Sequence, residues 1–253
     1  MKFEEVNKLL KGIPFISDAN ARELYDFIIE HKLTNCLELG FAHGVASCYI
    51  AAAIDELGGG KLVSVDLIGQ DWQKPSIEEL LDKLGLQKYV AIHREVTGYN
   101  WYLHNEIADN TSANSICSPV YDFCIIDGPK NWTIDSSAFF LVDKLLKQHG
   151  WVIFDDYEWT YGEADSRRDA TDGISHRKLS EAERNTPQVK EIFNLLVMQH
   201  PSYANFKIHK DGDWAWAQKN QSDNKIVSFT YGETYKDVFS RVFHKMKRIL
   251  KNK

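Results

Sequence analysis

Two short motifs, Asp127-Gly-Pro-Lys130 and Asp155-Asp156, hold residues whose types and spacing could do chemistry. Three carboxylates brought together make a hard, oxygen-only donor set. Such a set suits Mg²⁺ or a similar divalent cation, completed by waters or ligand oxygens. Without a cation the negative charges repel one another and raise each other's pKa values. Lys130, three residues after Asp127, could pair with that acid, or could accept a proton if its own pKa were depressed. Taken singly, Asp127 could cap a turn and Asp155-Asp156 could open a loop. Only the combination points to a metal site.

A second constellation lies upstream, in Cys-Leu-Glu38-Leu-Gly40-Phe-Ala-His-Gly44-Val-Ala-Ser. An apolar run delivers Glu38 to a turn built on two glycines, and an Ala-rich helical segment follows. A second apolar run ends in Asp66. This is the layout of a nucleoside-cofactor site at the first strand-turn-helix of an open α/β sheet. The glycines stand four apart, and the central G-x-G of a dinucleotide site is missing. A carboxylate at Glu38 would also repel a pyrophosphate, whereas it suits a ligand carrying an amino or sulfonium cation. The pattern favours S-adenosylmethionine over NAD, with Asp66 placed to accept hydrogen bonds from ribose hydroxyls.

The elements that must position these residues alternate along the chain. Helices are predicted over 3–11 and 19–32, and strands over 35–39, 61–66, 89–96, 120–126 and 151–154. Helices are expected over 46–54, 75–84, 134–147 and 187–199, whereas 106–118 reads as a loop or frayed helix. Two final strands, 205–209 and 214–218, flank an Asp-Gly turn and predict an antiparallel hairpin. The expected fold is a Rossmann-like, doubly wound α/β sheet, mostly parallel, with N-terminal helices over 1–33 and a C-terminal helical tail. In such a sheet ligands bind beyond the carboxyl ends of the strands, where Asp66, Asp127 and Asp155 all fall. One domain over 1–220 is expected, with 158–186 as a mobile loop over the site and 221–253 as a basic amphipathic tail. The tail would dock on the domain, pair with a second copy in a homodimer, or make weak contact with an anionic membrane surface.

Composition bounds the partners. The formal charge of −6 argues against a general nucleic-acid binder, and no stretch approaches a membrane span. Cys36, Cys48, Cys117 and Cys124 lack metal-ligand spacing, and three lie in apolar runs, as buried thiols do. Together these features predict a cytoplasmic protein. His43, His93, His104 and His149 also lack ligand spacing. Trp132 and Trp159 follow the acidic motifs closely enough to line a substrate pocket.

With these residues in view, the chain resembles the class I S-adenosylmethionine-dependent methyltransferases, whose acid–G-x-x-x-G motif is matched by Glu38, Gly40 and Gly44. The resemblance implies a cofactor site formed by Glu38, Gly40, Phe41, Gly44, Asp66 and Asp127. The later acids resemble those of the metal-dependent O-methyltransferases of the catechol and caffeoyl-CoA type and their relatives acting on sugars and antibiotics. That likeness implies metal ligation by Asp127, Asp155 and Asp156, with Lys130 as catalytic base. The expected reaction is methyl transfer to a hydroxyl of a small molecule: a sugar, polysaccharide precursor or secondary metabolite. Two alternatives are a metal-independent N- or O-methyltransferase and a non-catalytic binding module with this fold.

Overall fold

The structure is a computed structural model that describes residues 1–14, 16–69, 74–167 and 179–220. Short apolar runs form its centre. The strands are β1 (Asn35–Leu39), β2 (Lys61–Leu67), β3 (Val90–Glu95), β4 (Tyr121–Ile126), β5 (Leu146–Phe154), β6 (Tyr203–Ile208) and β7 (Ala215–Lys219). They make one seven-stranded sheet in the order β3-β2-β1-β4-β5-β7-β6. The first five strands pair in parallel, and β7 runs antiparallel to both β5 and β6. Central strands covered on both faces need apolar residues on both, which explains the nearly unbroken runs of β1 and β4.

Alternate residues feed two cores. Cys36, Phe123, Ile125 and Ile153 pack on one face with helices α1 (Phe3–Leu10), α2 (Asp18–His31), α3 (Val45–Glu56) and α4 (Ile77–Leu84). Leu37, Leu39, Cys124 and Ile126 face the other side, with α5 (Tyr99–Asp109), α6 (Trp132–Leu145) and α9 (Gln188–Ile192). Side chains cap the helices where the sequence supplies them. Ser17 accepts the Asn20 N–H at the start of α2, and Ser76 and Glu79 form a capping box on α4.

Register carries the functional consequence. Leu39 stands opposite both Val65 and Ile126, and Ile126 opposite Phe154. The next residues along these strands, Asp66, Gly40, Asp127 and Asp155, therefore fall in one row at the carboxyl edge of the sheet.

Several expectations are revised. The segment 106–118 begins inside a helix, because α5 already starts at Tyr99 and buries Tyr99, Tyr102 and Leu103 on one stripe. β5 starts at Leu146, so Lys147 belongs to strand and not to α6. Short helices α7 (Tyr161–Arg167) and α8 (Glu181–Asn185) occupy parts of the segment expected to be a loop. Its central residues 168–178 lie outside the described residues, as does the tail 221–253. After α9 the chain continues as a π-helical turn, Phe193–Val197. Among the described residues no helix is long and apolar enough to cross a membrane. Cys36, Cys48 and Cys124 are buried free thiols and Cys117 is a half-buried one.

Candidate active site

The glycine turn is shaped by what lies against it. Gly40 has φ +90°, and a Cβ there would stand 2.1 Å from the Asp127 carbonyl oxygen. The end of β1 thus presses directly on the end of β4, at a distance and dihedral only glycine accepts. Gly44, at φ +82°, lies against Ile77 of α4. Asp66 clamps the turn: its Oδ2 accepts the N–H groups of Phe41 and Ala42, each at 3.0 Å. Its Oδ1 accepts the Leu67 N–H at 2.7 Å.

Beneath the turn Glu38 is 1% exposed. It accepts hydrogen bonds from the hydroxyls of Ser64, at 2.6 Å, and of Ser47. Burial pushes its carboxyl up to about 7; the two hydroxyls pull the other way and the charge of Asp66 adds to the rise.

Beyond β4 and β5, carboxylate oxygens of Asp127, Asp155 and Asp156 lie within 4.8 Å of one another. The Lys130 ammonium stands among them. It donates to Asp127 Oδ1 and, at 3.0 Å, to the Gly128 carbonyl. It lies 3.6 Å from Asp155 Oδ2 and 3.3 Å from Asp156 Oδ2. Burial pulls the Lys130 pKa down, but the charges of Asp127, Asp156 and Asp155 outweigh it and hold the group well above the usual lysine range. Enclosure raises Asp127, although 31% of its side chain stays open, and Lys130 opposes the rise. Asp155 is raised further, by enclosure and then by the charge of Asp127. Three hard oxygen donors converging on one positive charge fit a divalent cation.

Both clusters open into one cavity of about 580 Å³. Gly40, Ala42, Asp66, Gly98 and Tyr99 line one part of it. The carboxylates, Lys130, Trp159, Tyr161 and Trp214 line another. The fold and this cavity can be set beside known proteins. The family described as "Methyltransferase domain" matches residues 37–157, the stretch from β1 to just past Asp156. The seven-stranded sheet has the Rossmann-like methyltransferase fold.

Solved structures share this fold. An O-methyltransferase from Bacillus cereus, in complex with S-adenosylhomocysteine, superposes with a TM-score of 0.59 at 16% identity, covering 87% of this chain and 92% of that one. The Podospora anserina methyltransferase PaMTH1, also bound to S-adenosylhomocysteine, gives 0.59 at 13% identity, covering 87% of each chain. TomG from Streptomyces achromogenes, an O-methyltransferase of tomaymycin synthesis in complex with S-adenosylmethionine, gives 0.57 at 15% identity, covering 87% and 92%. No curated protein matches the sequence.

The expected site residues separate into two groups. Gly40, Asp66, Asp127, Lys130, Asp155 and Asp156 line the common cavity. Glu38, Phe41 and Gly44 stand behind it: Glu38 and Phe41 are buried, and Gly44 faces Ile77. Trp159 lines the cavity, whereas Trp132 lies 39% exposed at the start of α6. His43 makes a hydrogen bond with the Pro75 carbonyl at 2.8 Å.

Sequence reasoning missed the wall formed by Thr97, Gly98, Tyr99 and Asn100, because it placed no helix there. The signal was present in the spacing of Tyr99, Tyr102 and Leu103. The wall contributed by Ser17, Asn20 and Asp213 had no local signal. It depends on a contact 193 residues apart in sequence, where the Asn20 amide donates to Asp213 Oδ2 at 2.9 Å.

Proposed function

We propose that the chain transfers a methyl group from S-adenosylmethionine to a hydroxyl oxygen of a small molecule, assisted by a divalent cation. One observation carries this reading: the glycine turn with Asp66 and the carboxylate–Lys130 cluster open into the same cavity. The bound S-adenosylmethionine and S-adenosylhomocysteine of the structural neighbours support the donor. Five aspartates in the lining, Asp66, Asp127, Asp155, Asp156 and Asp213, favour a ligand carrying a sulfonium cation.

When bound, S-adenosylmethionine supplies an electrophilic methyl group, and a divalent cation supplies Lewis-acid polarisation of the acceptor hydroxyl. This chain's residues do the rest. Gly40 lets the backbone approach the donor, and Asp66 holds the turn while keeping acceptor capacity for ribose hydroxyls. Asp127, Asp155 and Asp156 would hold the cation. The three carboxylates hold Lys130 Nζ protonated, against the depressed pKa that the expected base role needs. A cation among them would have to lower that pKa before Lys130 could take the acceptor's proton. The walls fix donor and acceptor in attacking geometry, which is a large share of what such a site contributes.

The cavity volume falls in the range of small-molecule clefts. The half-buried Trp159 beside the polar groups of Ser17, Asn20 and Asp213 suits a ring bearing hydroxyls. This supports a sugar, polysaccharide precursor or secondary metabolite as acceptor. The free thiols support a cytoplasmic setting.

The test is transfer of a labelled methyl group to a panel of hydroxyl compounds. Labelling is expected with Mg²⁺ and should vanish with EDTA. Lys130→Ala should lower turnover roughly 10²- to 10⁴-fold, the usual weight of a general acid–base group. Transfer that survives EDTA would remove the cation from the mechanism, and transfer to nitrogen alone would favour the other class of methyltransferase.

A further inference from the structure

Asp155 is oriented from outside the carboxylate cluster. The indole N–H of Trp214 donates to Asp155 Oδ1 at 2.5 Å, while Asp155 Oδ2 faces the Lys130 ammonium. Sheet topology creates this contact. β7 runs antiparallel beside β5 with Ala215 opposite Phe154, so the residue before β7 meets the residue after β5. The backbone there is tied on both sides: His209 N–H donates to the Trp214 carbonyl at 2.8 Å, and Tyr157 N–H to the Asp213 carbonyl at 2.9 Å. The Trp214 ring is 2% exposed and packs against Trp216, with centroids 5.7 Å apart. Its N–H therefore has a fixed direction and little water to turn to.

We propose that Trp214 is a positioning residue for the cation site: its indole N–H holds one oxygen of Asp155 so that the carboxylate presents only the other. The inference rests on the metal reading above. One oxygen from each of three acids leaves about half of a six-coordinate shell for water and acceptor oxygens. A freely rotating Asp155 could close a further position with its second oxygen. Hydrogen bonds that orient metal ligands are typically worth about 10- to 100-fold in metal affinity.

Mn²⁺ binding followed by electron paramagnetic resonance tests this on the full chain, using wild type, Trp214→Phe and Trp216→Phe. Trp216, two residues further on in β7, is equally buried, but its indole N–H bonds His209 Nε2 at 3.2 Å, so it controls for packing. Trp214→Phe should bind Mn²⁺ about tenfold more weakly or worse, by the range just given, with S-adenosylhomocysteine affinity retained. Trp216→Phe should bind Mn²⁺ like wild type. Unchanged affinity in Trp214→Phe, or equal losses in both variants, overturns the proposal. A wild type with no saturable Mn²⁺ binding removes the metal reading itself, and the inference falls with it. Should Trp214→Phe fail to fold, the indole resonances of ¹⁵N-labelled wild type decide. Mg²⁺ should shift the Trp214 N–H signal and leave that of Trp216 in place; a Trp214 signal that does not move overturns the proposal.

Discussion

At Glu38, a carboxyl with almost no solvent contact is held under the glycine turn by two hydroxyls. Burial raises its pKa from an ordinary 4.5 to about 7, so between those values the folded state binds a proton that the unfolded state has lost. Stability must then fall as pH rises through that window, and level off above it. The slope from one such group is at most about 1.4 kcal/mol per pH unit. Asp135, pushed up to about 6 by its own burial, contributes with the same sign, so the comparison has to be made against a variant. Glu38→Gln keeps a hydrogen-bond acceptor but cannot ionise. Denaturant unfolding from pH 5 to 8 should show the wild type losing stability relative to Glu38→Gln; parallel curves would mean that Glu38 is ionised throughout. The sequence showed an acid at this position and assigned it to the cofactor. Its burial was not legible, because Ser47 lies nine residues away and Ser64 twenty-six.

At the scale of the element, what places Lys130 is the start of α6. Asn131 caps that helix, its side-chain oxygen accepting the N–H groups of Thr133 and Ile134 at 3.0 and 3.2 Å. Lys130 itself sits at φ +59°, a left-handed conformation in the turn between β4 and the cap. Asn131→Ala should cost about 1 kcal/mol, the usual weight of an N-cap, read as a lower urea midpoint with unchanged slope. An unchanged midpoint would show that the turn is held without the cap. Strands were the most legible elements. β1 was read with its observed bounds and β4 within a residue, because central strands covered on both faces must be apolar throughout. α5 was missed because its aromatic residues are poor helix formers taken alone, and their stripe counts only once it has a core to face. The helices flanking 168–178 are short and carry few apolar residues, so hydrophobic periodicity had little to register.

At the scale of the whole molecule, four parallel strands end in one row, and each contributes a residue of the site: Gly40, Asp66, Asp127 and Asp155. This much could be argued from the sequence, since each strand announces its own end and the parallel fold aligns them. The cavity wall of Ser17, Asn20 and Asp213 could not, because α2 and the turn before β7 meet only through the folded sheet. The central claim is that the row forms a cofactor site continuous with the acidic cluster. It can be tested without knowing the acceptor, by calorimetric titration with S-adenosylhomocysteine. The wild type should show saturable one-to-one binding that persists in EDTA. Asp66→Ala, which removes the charged acceptor that holds the turn and, in the proposed reading, would bond the ribose, should weaken binding about 10- to 100-fold. No binding heat in the wild type, or full affinity in Asp66→Ala, would contradict the account.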